Sequence, residues 1–381
     1  MDSLSRVALI RCPDYDPQNV SIAVNRGIEL IGGAKHFFKK NKKVLLKPNL
    51  LSARSPEHAV TTHPEVFAAM ARLALDHGCR VFYGDSPSRH NLKIAAEKSG
   101  IAAAARLLDI PAADFVTPVT ISFPRGILLK QLTVAAAALD SDSIINICKM
   151  KTHAFTRITG AVKNLLGCVP ELLKADWHVR MPDIRHFAAG LIDLAMALPA
   201  RLHLMDGIQA MEGNGPSGGK PRQMGVLLFS TDPIALDAVF CRLIDLKPEY
   251  VPTMAPGKEA GLGTFLANEI ELLGDSLAES IALDFQVVRR PAERAIQNYF
   301  LPGFLQKLIS PRPMISASAC TRCGICIESC PVKPKALFRS CSAELPRFLG
   351  KNCIRCYCCQ ENCPEKAISV YRPPLARLVH G

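Results

Sequence analysis

Apolar and polar positions over residues 1–291 switch repeatedly between strand-like runs and helical spacing. Residues 6–11 form a short apolar run read as a strand. Residues 19–31 carry helical spacing and stop at Gly32-Gly33, a natural helix end. A second strand, 43–46, breaks at Lys47-Pro48-Asn49. His63-Pro64 opens a helix through His77, with proline at the first helical position and Gly78 after the end. Residues 80–83 read as a strand ending in Gly84-Asp85-Ser86-Pro87, and 142–148 as an apolar run ending in Lys149, Lys151 and His153. A helix over 183–198 follows, then a strand over 203–205 that ends at Asp206-Gly207. A last strand, 225–229, feeds a helix over 233–244. This alternation predicts an α/β fold, a mostly parallel sheet covered by helices on both faces.

The texture changes twice after residue 291. Over 292–313, Pro302, Pro311 and Pro313 interrupt a segment made apolar by Tyr299, Phe300, Leu301, Phe304, Leu305, Leu308 and Ile309. It reads as a strap along the domain surface, with a membrane-surface or partner-docking helix as the alternative. Residues 314–372 are short-period, cysteine-rich and proline-punctuated, and 373–381 form a tail. The organisation expected is therefore an α/β domain over 1–291, with room for two lobes divided near residue 140, then a connector and a small α+β domain.

Composition narrows the class. The 381 residues are 49% hydrophobic and 21% charged, which excludes a disordered chain or a collagen-like fibre. No uncharged apolar stretch is long enough for a transmembrane helix. Residues 1–11 lack a basic segment followed by a long apolar run, so a cytoplasmic, reducing setting is expected. The fifteen cysteines then point to metal binding or redox chemistry rather than disulfides.

Two runs carry that chemistry. Cys320, Cys323, Cys326 and Cys330-Pro331 follow C-x2-C-x2-C-x3-C-P, and Cys353, Cys356, Cys359 and Cys363-Pro364 repeat it. This is the bacterial two-cluster iron–sulfur spacing, in which three close cysteines wrap one cubane and the fourth ligates the other. One [4Fe-4S] cluster is thus expected on Cys320, Cys323, Cys326 and Cys363, and a second on Cys353, Cys356, Cys359 and Cys330. Structural zinc favours two separated C-x2-C pairs closing one tetrahedron and fits two full runs poorly. Cys12, Cys79, Cys148, Cys168 and Cys241 read as buried small hydrophobes. Cys358, beside Cys359, reads as a bystander, a substitute ligand or a redox-tuning thiol, and Cys341 has no readable role.

The formal charge of +12 falls to about +8 once two clusters with eight thiolates are counted. Lys and Arg are spread along the chain rather than gathered with aromatics, so an acidic small molecule or acidic partner is expected and nucleic acid is not.

Ligands of open parallel sheets bind beyond the carboxyl ends of the strands. The polar residues there are Lys47, Asn49, Asp85, Lys149, Lys151, His153, Asp206, Glu212 and Asn214, followed by Lys163 and Asn164 on a helix-like segment, then Lys174 and His178. Lysines are rarely buried unpaired, so a strand ending in Lys-x-Lys-x-His suggests an anion site. With a period of two, Lys149, Lys151 and His153 would point to one side, near the loop of Glu212 and Asn214. Solvated loop ends are the duller alternative. His63 also reads as a residue shaping a helix start, and Asp183 and Asp232 as N-caps. Residues 213–220 (GNGPSGGK) miss the Walker A pattern, because Gly219 stands where lysine is required, and read as a generic anion-cradling or flexible loop.

The strings LLKPNLL (45–51), TTHPE (61–65), GDSPS (84–88), INICKMKTH (145–153), TGAVKNLLG (159–167) and DGIQAMEGNGPSGGKP (206–221) resemble the family called domain of unknown function 362. That family often carries a C-terminal bacterial-type ferredoxin module, and CIRCYCCQENCP (353–364) is similar to its second cluster motif. The resemblance implies the same architecture and marks Lys47, Asn49, His63, Asp85, Lys149, Lys151, His153, Lys163, Asn164, Asp206, Glu212 and Asn214 as site candidates. The expected function is iron–sulfur electron transfer to or from a front-domain crevice that binds an acidic ligand. A redox partner protein or low-potential carrier would be needed. The alternatives are a non-catalytic electron-transfer subunit docking onto a partner oxidoreductase, and a metal- or cofactor-assembly factor.

Overall fold

The computed structural model describes residues 4–88, 91–292, 311–371 and 373, the side chains of residues 171, 172 and 175 excepted. Most of the 292–313 connector and of the 373–381 tail therefore lies outside the described residues. The main elements of the front domain, in chain order, are β1 (Ser5–Arg11), α1 (Pro17–Leu30), β2 (Lys43–Pro48), α2 (Pro64–Asp76), β3 (Arg80–Tyr83) and the side hairpin β4 (Pro118–Ser122) and β5 (Gln131–Ala135). There follow β6 (Ser143–His153), β7 (Arg157–Thr159), α3 (Ala161–Asn164), α4 (Glu171–Arg180), α5 (Ile184–Ala197), β8 (Ala200–Glu212), β9 (Lys220–Ser230), α6 (Pro233–Leu243) and β10 (Ile270–Gly274).

One sheet runs in the order β10-β1-β9-β8-β6-β2-β3, with β7 paired to β6. The pairs β10/β1, β8/β6, β6/β2 and β2/β3 are parallel. The 225–229 segment departs from the expected parallel arrangement. It belongs to β9, which returns from β8 as a long hairpin and pairs antiparallel with both β8 and β1. The 203–205 strand likewise runs on through Asp206 to Glu212. Strands from before and after residue 140 are sheet neighbours, so the sheet is one body rather than two lobes.

β6 is buried along its whole length, as a central strand with both faces covered must be. Its side chains alternate between two cores. Ile144, Cys148 and Met150 join Phe187, Leu191, Val239 and Phe240 on the face of α5 and α6. Ile145 and Ile147 join Val24, Ile28, Phe67 and Met70 on the face of α1 and α2. Side-chain caps start these helices: Asp16 for α1, His63 for α2, Asp183 for α5 and Asp232 for α6.

The cysteine-rich segment pairs β11 (Arg312–Ile315) with β14 (Ile368–Tyr371), and β12 (Leu337–Phe338) with β13 (Arg347–Phe348). Helical turns α7 (Ile325–Glu328) and α8 (Cys358–Glu361) follow the two cysteine loops. Its small core gathers Cys326, Cys330, Ala336, Leu337, Cys359 and Ile368. Among the described residues no helix is long and apolar enough to cross a membrane.

Candidate functional site

The carboxyl ends of β2, β3 and β6 meet at a cleft closed on its far side by the cysteine-rich segment. Lys47, at the end of β2, is fully buried, and its Nζ lies 2.8 Å from Asp85 Oδ1. Asp85 also accepts the backbone N–H groups of Leu50 at 2.6 Å and Ser86 at 2.9 Å. The pair needs a neighbour without a side chain. A Cβ on Gly167 would fall 1.8 Å from Asp85 Oδ1 and 2.5 Å from Lys47 Nζ.

An amide chain sets the next residues. Asn146, an interruption in the apolar run of β6, donates to His203 Nδ1 and to the Ala161 carbonyl, both at 2.9 Å. Asn164 donates to Asn146 Oδ1 at 2.7 Å, and Asn49 donates to Asn164 Oδ1 at 2.9 Å. Lys151 Nζ then donates to Asn49 Oδ1 at 2.6 Å and to the Val60 carbonyl at 2.7 Å. Burial first, then the nearby Lys163 and Lys149, push the Lys151 ammonium down to about 7. Lys163 sits on α3, whose first N–H groups are held by the Asp237 carboxylate. Burial lowers the Lys163 pKa as well, although Glu361 and Cys358 act to raise it.

Lys149, Lys151 and His153 do not share one anion site. β6 slips against β8 between Lys149 and Lys151, and each side chain takes a different partner. Lys149 is 2.7 Å from Asp206 Oδ2, away from the cleft, and also donates to the Tyr15 hydroxyl at 2.9 Å. Asp206 further accepts the Tyr15 hydroxyl and the His63 N–H, and the Tyr15 and His63 rings stack at 3.5 Å. Lys149, Asp206, Tyr15 and His63 thus lock the β6 and β8 ends together. None of these four lines the cleft. Nor are Lys149 and Lys151 solvated loop ends, since both are buried within β6.

His153 faces the cysteine-rich segment. Its Nδ1 accepts the N–H groups of Phe155 and Thr156, which leaves Nε2 to carry the ring proton. Nε2 lies 2.9 Å from Glu361 Oε1, close enough for an ion pair but not aligned as a hydrogen bond. Burial, then Lys163, lowers His153 to about 4. Burial would raise Glu361, but His153, Lys163 and His178 outweigh it and hold the carboxyl at about 2.

Glu212 and Asn214 do not line the cleft either. Glu212 accepts the Gln286 N–H at 2.9 Å. Asn214 donates to the Ile368 carbonyl, and Gln360 donates to Asn214 Oδ1 at 2.8 Å and to the Gly215 carbonyl. Ser217 donates to the Glu361 carbonyl, Ser88 to Asn362 Oδ1 and Arg54 to the Pro364 carbonyl. The 213–220 loop, expected to cradle an anion or stay flexible, instead fastens the second cysteine run onto the front domain.

The thiols divide crosswise. Cys320, Cys323, Cys326 and Cys363 line one small cavity. Cys330, Cys353, Cys356 and Cys359 line another. Backbone N–H groups of Arg322, Ala336 and Ala367 point at Cys320, Cys330 and Cys363 sulfurs at 3.3–3.4 Å. Among the described residues, no group of three His, Cys, Asp or Glu is gathered tightly enough to hold a single ion. The two loops repeat one backbone: Arg322 and Arg355 have positive φ, as do Gly324 and Tyr357, each before a helical turn. In that register Cys359 matches Cys326, and Cys358 matches Ile325. Cys358 lines the basic cleft instead of a cysteine cavity, together with Ser329, Glu361 and Asn362. Cys341 is exposed.

Sequence reasoning placed the polar strand ends but missed Asn146, His203, Tyr15, Glu361 and Gln360. An amide inside an apolar run was the available signal for Asn146, and an acid between two cluster-type cysteines was the signal for Glu361.

Comparison with known proteins places this geometry. A thylakoid-associated protein of Synechocystis sp. is 35% identical over 317 residues, 82% of this chain and 92% of that protein. Two solved structures are more remote. The lactate racemase apoprotein of Thermoanaerobacterium thermosaccharolyticum is 11% identical, with a TM-score of 0.36, over 61% of this chain and 55% of that one. A crystal structure of a Thermotoga maritima protein is 14% identical, with a TM-score of 0.34, over 56% and 55%. The family pattern described as Domain of unknown function (DUF362) matches residues 44–242, which contain β2, β6 and the residues that build the front-domain wall of the cleft, and the chain belongs to that family.

Proposed function

We propose that the chain is an iron–sulfur redox protein whose two [4Fe-4S] clusters exchange electrons with an anionic ligand held in the cleft. Cys320, Cys323, Cys326 and Cys363 would hold one cluster, and Cys330, Cys353, Cys356 and Cys359 the other. Four thiols around each cavity, with backbone N–H groups aimed at the sulfurs, are the donor set that a cubane requires. When bound, the clusters supply or accept single electrons.

The observation that carries the reading is that Cys358, next to the ligand Cys359, forms part of the same cleft wall as Lys151 and Lys163. Clusters and cleft would then share a boundary, which favours a redox enzyme over a carrier subunit whose front domain only docks. The front domain's own residues bind and orient. Lys151 and Lys163 attract an anion, while Leu51, Leu166 and Pro216 limit water. Lys151, with its pKa near 7, can hold or release a proton at Nζ as the ligand changes charge.

Anaerobic purification with iron and sulfide analysis tests the reading. About eight irons and eight sulfides per chain are expected, with paramagnetic resonance signals from two interacting reduced centres. Stoichiometric zinc without sulfide overturns it.

A further inference from the structure

The cleft holds an unbalanced charge. Among the charged residues of its described lining, Lys47, Lys151 and Lys163 outnumber Asp85 and Glu361. Lys47 is matched by Asp85. Lys151 donates to the neutral oxygens of Asn49 and Val60. Among the described residues, Lys163 has no carboxylate within ion-pair distance. His178 does not add to the charge, because burial lowers it to about 4.

The same wall carries polar atoms with no partner. Among the described residues, Ser86 Oγ, Thr159 Oγ1 and His178 Nδ1 are buried without a hydrogen bond, and all three residues line the cleft. Buried polar atoms are nearly always paired, so three around one cleft beside Lys151 and Lys163, which form no ion pair among the described residues, mark a ligand position. We propose that the cleft binds a small dianion, a dicarboxylate or a phosphate monoester, whose charges answer Lys151 and Lys163 and whose oxygens meet Ser86, Thr159 and His178. This rests on the reading of the cleft as the ligand site, and it does not depend on the clusters' redox role.

A proton should accompany the ligand. The charged groups facing Lys151 are Lys149 on its own strand, Lys163 on α3, Glu361 on α8 and Asp85 after β3. In the empty cleft Lys151 loses its proton near pH 7, whereas a bound dianion favours the charged form. Binding near and above pH 7 therefore takes up a proton, and affinity falls as pH rises from 7 to 8.5.

Calorimetry on the full-length protein tests this with four probes: succinate, glycerol phosphate, acetate and the neutral succinamide. Succinate or glycerol phosphate should bind at least about tenfold more tightly than acetate, and succinamide should not bind. The tighter of the two dianions identifies carboxylate or phosphate as the native group. Lys163→Met should weaken the dianion by about tenfold or more while leaving acetate within a fewfold. In wild type, the binding heat should vary with buffer ionisation enthalpy in the sense of proton uptake, a readout that survives if the lysine variant fails to fold. Equal affinity for succinate and acetate, unchanged binding in a folded Lys163→Met protein, or binding by none of the probes overturns the proposal. A chain that binds dianions but lacks iron and sulfide overturns only the redox reading.

Discussion

At the scale of single residues, burial decides which charges matter. Lys47 and Asp85 are 0% and 4% exposed, whereas Arg6 and Glu271 are 58% and 40% exposed. Removing one member of a buried pair leaves an uncompensated charge and costs about 3–5 kcal/mol, while an exposed pair contributes about 0–1 kcal/mol. Asp85→Asn should therefore shift the denaturant midpoint far more than Glu271→Gln does. Gly167→Ala should behave like Asp85→Asn, because its methyl group would fall between the two partners. A Gly167→Ala protein as stable as wild type would mean that this stretch of backbone yields more easily than its packing indicates. Residue types at these positions were legible in the sequence: lysine, aspartate and glycine at strand ends and turns. Their partners were not. The pairing of Lys47 with Asp85 and of Lys149 with Asp206 joins residues far apart in sequence.

At the scale of elements, the apolar runs of β1, β2, β3 and β6, and the capped starts of α2, α5 and α6, followed directly from periodicity and local capping chemistry. The direction of β9 did not, since a buried apolar run reads the same whether its neighbours are parallel or antiparallel. The slip between β6 and β8, which lies between Lys149 and Lys151, was equally hidden. The loop after β8 shows how a motif can be visible while its work is not. Its glycines suggested a ligand cradle, yet Asn214 and the Gly215 carbonyl hold the second cysteine run. Asn214→Ala removes the bond to Ile368 and the side-chain bond from Gln360, each of a kind that contributes about 0.5–1.5 kcal/mol. Hydrogen exchange in residues 358–371 should rise, while exchange in β1, β2 and β6 stays unchanged. Unaltered exchange in 358–371 would show that the other contacts, from Arg54, Ser88 and Ser217, suffice for docking.

At the scale of the whole molecule, the two cysteine runs depend on each other and on the front domain, so a local change should have a remote effect. Cys363 lines the cavity of the first run, although it follows the second in sequence. With the clusters proposed above, Cys363→Ala should lose or degrade the centre held by Cys320, Cys323 and Cys326, leaving the centre of Cys330, Cys353, Cys356 and Cys359. Iron content should fall towards about half, and the interaction between the two paramagnetic signals should disappear. Cys358→Ala makes the opposite prediction. Its position matches Ile325 in the repeated loop and lines the cleft, so iron and sulfide should remain complete. The change should appear in the cleft instead, as altered succinate binding or as a shifted signal of the neighbouring centre when succinate is added. Loss of iron in Cys358→Ala, or selective loss of the second centre in Cys363→Ala, would break the crosswise assignment and with it the placement of the second cluster against the cleft.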